Sequence, residues 1–382
     1  MIDAPRLYQG LNCTINTTED CNLRCKYCYE INKKSREISR DSCYKFIDIL
    51  LGDNSNWTDR MKDALREGII LDFIGGDSLM NFRLLDDVME YFIYKLNILN
   101  HPCKNKFRFS ICSNGTLFSD EVKAFLEKWK SCLSLGVSLD GCPEIHDMNR
   151  VFPNGEGSLN KILKDFPWYR ENFPMDSKIT KSTLSKNSIP YMEKSLRYLH
   201  EQLGIKYIFQ NFVMEDCGLT DEDLLLFDSE MEKCVSYVKE HSDDLYWSMI
   251  DQKFLLRRDL NTPIPNEPMC GSGCMPTLSI DGIIYPCFRW LPHTRKTELP
   301  FNCGNIETGI KMDGFSIVSD GSLRSKCTRD LKCKDCIYEP CCSYCIGGCY
   351  AEYGDFRRTT YICEIIKNQC KWAEEYWNGK KN

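Results

Sequence analysis

A chain of 382 residues with a formal net charge of −6 exceeds one typical domain and has ample material for a core. It lacks a long Lys/Arg cluster, which argues against nucleic acid as the main partner, and no apolar run approaches the ~18 residues needed to cross a bilayer. The N-terminal Met-Ile-Asp-Ala-Pro-Arg lacks a charged-then-apolar secretory pattern, so the chain reads as cytoplasmic; there, clustered thiols among its 24 cysteines more often bind metal than form disulfides, and only 5 histidines are available for mixed Cys/His zinc sites.

A strand is expected over Leu11 to Thr17, followed at once by Cys21-Asn-Leu-Arg-Cys25-Lys-Tyr-Cys28. Asp41 to Leu51 has apolar residues at helical spacing behind an Asp41/Ser42 cap. Gly68 to Gly76 is a short β-rich run ending in glycines. Strand and helix then alternate: helix over Leu84 to Leu99, strand over Lys106 to Cys112, helix over Asp120 to Trp129, and strand over Cys132 to Leu139. A weaker strand over Lys178 to Leu184, a helix over Ile189 to Leu203, a strand over Ile205 to Val213 and a helix over Thr220 to Glu240 complete the series. Six strands alternating with helices imply parallel β-α units, and a closed eight-unit barrel would need two more. The fold class expected is therefore α/β, a partial (β/α)6 TIM-type barrel. In such folds the site lies on loops after the strand C-termini, where Cys21–Cys28, Gly75-Gly76-Asp77-Ser78, Ser113-Asn114-Gly115 and Ser138-Leu-Asp140-Gly141 all fall. Asn261 to Pro268 is rich in proline and reads as a linker. Beyond it periodicity fades, and 13 of the 24 cysteines lie between Cys270 and Cys370.

Three thiolates at C-x3-C-x2-C spacing can hold three irons of a 4Fe-4S cube, leaving the fourth iron open. An open position marks a catalytic rather than a structural metal site, and Tyr27 is an aromatic beside it. The alternative, a zinc knuckle, favours paired C-x2-C units closed by a fourth ligand. The spacing and the aromatic resemble the signature of the radical S-adenosylmethionine (SAM) enzymes. That resemblance implies a 4Fe-4S cluster on Cys21, Cys25 and Cys28, SAM chelated at its open iron, and a 5'-deoxyadenosyl radical that abstracts hydrogen. Gly75-Gly76-Asp77 resembles the family's Gly-Gly-Glu-Pro motif, here altered to Gly-Gly-Asp-Ser, whose acidic end lies near the SAM amine. Ser138 and Arg150 match positions that contact the SAM carboxylate in the sulfatase-maturing relatives, and an Arg fork suits a carboxylate.

Cys270-Gly-Ser-Gly-Cys274, Gly282-Ile-Ile-Tyr-Pro-Cys287, Cys333-Lys-Asp-Cys336, Cys345-Ile-Gly-Gly-Cys349 and Cys363 resemble the SPASM domain, the twin-cluster extension of peptide- and protein-modifying radical SAM enzymes. By position, Cys270, Cys274, Cys287 and Cys349 would hold one auxiliary 4Fe-4S cluster and Cys333, Cys336, Cys345 and Cys363 a second, giving three clusters in all. Cys341, Cys342 and Cys345 compete at one place: Cys345 keeps the C-x3-C spacing to Cys349, while Cys342 keeps the family's five-residue gap from Cys336. The reading takes Cys345. Residues 1–240 are thus expected to form the partial barrel, 241–267 a helix and linker, and 268–382 a cysteine-rich, loop-rich SPASM domain.

The resemblance implies oxidative cross-linking, through a thioether or carbon-carbon bond, of a ribosomally synthesised precursor peptide. A flavodoxin- or ferredoxin-type electron donor is expected. The chain reaches its first strand by Leu11, with no leader-peptide recognition domain ahead of it, so recognition is expected elsewhere in the chain or on a separate protein. There are two rivals: one of the same class, an anaerobic sulfatase maturase, which makes formylglycine, and one of a different class, an iron-sulfur electron carrier without turnover. Against the first, sulfatase maturases place an Asp base immediately after the cysteine of Gly-x-x-Tyr-Pro-Cys, and here that residue is Phe288. No catalytic base is assigned; Asp281 is near in sequence, but strand alternation does not fix where it faces.

Overall fold

The computed structural model describes residues 1–5, 8–255, 271, 273–319, 333, 335–339, 342, 345–355 and 362–379. Cys270, Cys341 and the expected linker lie outside them. The chain builds one long sheet from β1 (Leu11–Thr18), β2 (Ile69–Gly75), β3 (Phe107–Ser113), β4 (Leu133–Ser138), β5 (Ile179–Leu184) and β6 (Tyr207–Phe212), each paired in parallel with the next. Helices α1 (Arg40–Leu51), α2 (Asp59–Glu67), α3 (Phe82–Ile98), α4 (Asp120–Trp129), α5 (Pro143–Asn149), α6 (Leu159–Asn172), α7 (Met192–Arg197) and α8 (Asp221–Glu240) fill the crossovers. Parallel strands need such covered faces, and in β1 seven of eight residues are buried. A core of Ile15, Phe46, Phe73, Phe92, Phe109 and Leu135 packs between sheet and helices.

The expected six-unit series is present, and the sheet extends past it at both sides. The short β7 (Tyr246–Trp247) pairs with β6, and the hairpin of β8 (Thr277–Leu278) and β9 (Ile284–Tyr285) adds to β1, with Thr14 opposite Thr277 and Ile15 opposite Leu278. The order is β7-β6-β5-β4-β3-β2-β1-β8-β9, so among the described residues β7 and β9 are its edges and the barrel is open. A second small ladder joins β10 (Gly304–Asn305) and β11 (Gly309–Ile310), followed by α9 (Met312–Ser319), α10 (Ile346–Tyr353) and α11 (Cys363–Asn378). No helix among the described residues is long and apolar enough to cross a membrane.

Helix ends differ from expectation in instructive ways. The cap of α1 is Ser39, whose hydroxyl accepts from Ser42 N, rather than Asp41 or Ser42; a hydroxyl two residues before Asp41 satisfies an orphan N–H of the first turn. Ile189 to Leu203 is not one helix. A 3-10 turn carrying Pro190, which has no N–H to donate, precedes α7, and a π turn over Tyr198–Gln202 follows it.

Candidate active site

The cysteine loop leaves the C-terminal end of β1 and is clamped from two sides. Arg24 N donates to Val151 O at 2.7 Å and Lys26 N to Asn149 O at 3.0 Å, tying it to the segment after α5. On the other side Gly76 N donates to Thr18 O at 3.0 Å and Asp77 N to Asp20 O at 3.2 Å. Both glycines are required by this approach. A Cβ on Gly75 would lie 2.2 Å from Thr18 O, at a φ of +146°, and one on Gly76 would lie 1.8 Å from Asp20 O. The bare backbone of the two glycines thus meets the cysteine loop itself.

Asp77 is 2% exposed. Its carboxylate accepts from Ser113 Oγ at 2.9 Å, Asn114 N at 2.7 Å and Leu79 N at 3.1 Å. Burial pushes its carboxyl up to about 6, against the pull of those donors. Asp77 therefore ties the β2 loop to the β3 loop, and the β3 loop in turn reaches the cysteines: Asn114 Nδ2 lies 2.8 Å from Asn22 Oδ1 and 3.8 Å from Cys21 Sγ.

The β4 loop supplies a residue to which sequence reasoning gave no role. Asp140 is fully buried, accepts from Tyr27 OH and from Thr183 N at 3.2 Å, and forms an ion pair with Arg150 Nε at 3.0 Å. The Arg150 guanidinium carbon also lies 5.6 Å from the centroid of the Tyr27 ring. Burial works against the Arg150 charge, but Asp140, with Tyr27 and Cys25, outweighs it and raises its pKa. Tyr27 and Arg150, 123 positions apart in the chain, therefore meet on one carboxylate. Ser138, the last residue of β4, is buried, its Oγ 3.7 Å from Cys112 Sγ.

A second buried group joins the loop to the C-terminal segment. Glu19 and Glu30 flank the cysteines, and His293 lies between them, Nδ1 3.6 Å from Glu19 and Nε2 3.5 Å from Glu30. Arg36 forks onto Glu19 at 2.8 and 3.1 Å and reaches Asp281 at 2.9 Å. Nothing in the sequence around a lone histidine announced this contact.

The thiols at Cys21, Cys25 and Cys28 are free. Burial pushes Cys21 up to about 11 and raises Cys25, so a bound metal centre is what would make them thiolates. Among the described residues no three His, Cys, Asp or Glu side chains converge as on a single metal ion; a cubane places each thiolate on a different iron. Buried polar atoms await partners near these loops: both amide atoms of Asn16, Ser78 Oγ and Glu30 Oε2 make no hydrogen bond. A polar, charged ligand such as SAM fits that set. Of the C-terminal cysteines, Cys287, Cys333 and Cys349 are buried, Cys274, Cys336, Cys345 and Cys363 are half-buried, and Cys342 is buried. Cys345 caps α10, its Sγ accepting from Gly348 N at 3.2 Å.

The family described as a 4Fe-4S single cluster domain matches residues 9–164. A cysteine-type anaerobic sulfatase-maturating enzyme of Clostridium novyi is 24% identical over 365 residues, covering 92% of this chain and 91% of that protein. The antilisterial bacteriocin subtilosin biosynthesis protein AlbA of Bacillus subtilis is 24% identical over 381 residues, 95% of this chain and 71% of its own. The uncharacterized protein MJ0907 of Methanocaldococcus jannaschii is 30% identical over 196 residues; the match spans 51% of this chain and 59% of that protein's length. Among solved structures, native anSMEcpe with bound AdoMet superposes with a TM-score of 0.71 at 19% identity, over 97% of this chain and 99% of that one. Streptococcus suis SuiB bound to the precursor peptide SuiA gives 0.57 at 15% identity, over 93% and 76%; these two establish likeness of fold. With its cysteine loop at the mouth of an open parallel barrel, the chain is thus similar to 4Fe-4S domain proteins, among them anaerobic sulfatase-maturating enzymes and AlbA, and shares their fold.

Proposed function

We propose that this enzyme oxidatively cross-links a ribosomally synthesised precursor peptide. One observation carries the choice. Where a proton-accepting side chain would follow Cys287, the Phe288 ring instead packs on Tyr29, with centroids 5.9 Å apart, and a general base must reach the proton it removes. Asp281 does not take its place: its carboxylate is half-exposed and held by Arg36. The precursor peptide held by SuiB supports a peptide as substrate class.

In this reading Cys21, Cys25 and Cys28 would hold a 4Fe-4S cluster, and Arg150 and Ser138 would bind the carboxylate of SAM. When bound, cluster and SAM supply a hydrogen-abstracting 5'-deoxyadenosyl radical, and auxiliary clusters on Cys270, Cys274, Cys287, Cys349 and on Cys333, Cys336, Cys345, Cys363 supply an exit for the second electron. Asp140 keeps Arg150 and Tyr27 in place between turnovers, and Asp77 with Gly75 and Gly76 keeps the cysteine loop seated.

The test is incubation of reconstituted enzyme with SAM, reductant and a small peptide encoded beside it, which should lose two hydrogens per modification. A sulfatase-derived peptide should give abortive SAM cleavage at most. The near-full-length likeness to the Clostridium novyi enzyme favours the second reading, formylglycine formation, and conversion of Cys to formylglycine on the sulfatase peptide would overturn the first.

A further inference from the structure

Arg289 is a buried cation that no step above uses. Its side chain is 9% exposed, and its partner Glu215, in the loop beyond β6, is 33% exposed. The guanidinium carbon stands 4.8 Å from the centroid of Tyr29, the residue that follows Cys28. On its other side are Gly347 and Gly348, the two residues between Ile346 and Cys349. A Cβ on Gly347 would come within 2.7 Å of Arg289 Cβ, and one on Gly348 within 3.3 Å of Arg289 Nη2. The glycine pair thus leaves room for the arginine against the backbone that carries Cys345 and Cys349. Arg289 itself comes two residues after Cys287, and its Nε is buried without a hydrogen-bond partner.

Burying a guanidinium is costly unless nearby negative charge offsets the lost hydration. Glu215 is the more exposed member of the pair and lies on one side only. Thiolate-bound iron-sulfur clusters are anionic, and gain one further negative charge on reduction. Their potentials depend on net charge and exposure, and a fixed cation in a low-dielectric setting acts strongly. We infer that Arg289 sets the reduction potential of the auxiliary cluster held through Cys345, whose Sγ accepts from Gly348 N beside the guanidinium, raising it by favouring the reduced form. The inference rests on the cluster reading given under Proposed function. Arginine stays protonated throughout, so the equilibrium it biases is a one-electron reduction with no proton transferred.

The experiment is a dithionite redox titration followed by electron paramagnetic resonance. It uses the full-length Cys21→Ala/Cys25→Ala/Cys28→Ala protein, which leaves the auxiliary clusters alone in the spectrum. Arg289→Met should lower the midpoint potential by a tenfold change in the reduction equilibrium, 59 mV for one electron, and Arg289→Lys, which keeps the charge, should shift it by less than half of that. Glu215→Gln removes the opposing anion and should move the potential the other way, upward, which keeps the inference testable if Arg289→Met fails to fold. An unchanged potential in Arg289→Met with its iron intact, or an unchanged or lowered one in Glu215→Gln, overturns the inference. Iron far below the roughly eight atoms of two 4Fe-4S clusters in the parent protein would overturn the cluster reading itself, and the inference with it.

Discussion

Replacing Gly76 by alanine tests how the cysteine loop is held. The added Cβ would sit 1.8 Å from Asp20 O, 2.3 Å from Asp20 C and 2.8 Å from Cys21 Cβ. Two of the three are backbone atoms, which cannot rotate aside, so the strain should reach or exceed the upper end of the usual overpacking cost, about 3 kcal/mol. The fold can bear that strain, lowering stability to urea, or relieve it by moving the loop off β2. Relief would displace Cys21 and cost the protein about a third of some twelve irons. Gly155→Ala is the control: Gly155 has φ +87° but nothing within 4 Å of a built Cβ, so only backbone strain of about 1 kcal/mol applies. Iron analysis, SAM cleavage and urea unfolding of both variants read the outcome. A Gly76→Ala protein with wild-type iron, cleavage and stability would refute the reasoning.

Asp140→Ala leaves the buried Arg150 without its ion partner and should destabilise the protein by about 3–5 kcal/mol in urea unfolding, with weaker SAM binding; a loss under 1 kcal/mol (about the value of an exposed pair) would contradict the buried pair. Cys345→Ala should degrade the second auxiliary cluster's electron paramagnetic resonance signal and Cys342→Ala should leave it intact, and the reverse result moves the ligand to Cys342. Asp77 binds its proton more tightly folded than unfolded, so as pH rises from the ordinary carboxylate range through about 6 its contribution to stability falls, by an amount on the order of 3 kcal/mol. Stability measured from pH 4 to 7 should show a smaller decline of this kind in Asp77→Asn; an identical slope would exclude Asp77 as its source.

The strands and the cysteine loop were legible because each signal is local. Leu11 to Thr18 is buried at every position but Asn12, and C-x3-C-x2-C lies in eight residues. Helices α2, α5 and α6 were not read, nor were α9, α10 and α11 in the cysteine-rich segment expected to be loop-rich. Asp59–Glu67 is short and largely charged, α5 has only seven residues, and Pro167 interrupts the pattern of α6. The β8 and β9 strands have two residues each, too few for any period, and only their pairing with β1 defines them. Arg150 was found through the resemblance, whereas Asp140 was not assigned a role, because its importance arises where Tyr27, Thr183 and Arg150 converge in space. Gly75 and Gly76 were singled out, but the atoms that make them necessary, Thr18 O and Asp20 O, belong to another loop.

The central claim is that Cys21, Cys25 and Cys28 hold a cluster that turns SAM into a reagent. Anaerobically reconstituted protein should carry about twelve irons per chain and convert SAM to 5'-deoxyadenosine under reductant. The Cys21→Ala/Cys25→Ala/Cys28→Ala protein should keep about two thirds of that iron and form no 5'-deoxyadenosine, whereas SAM cleavage that survives the triple change would contradict the account.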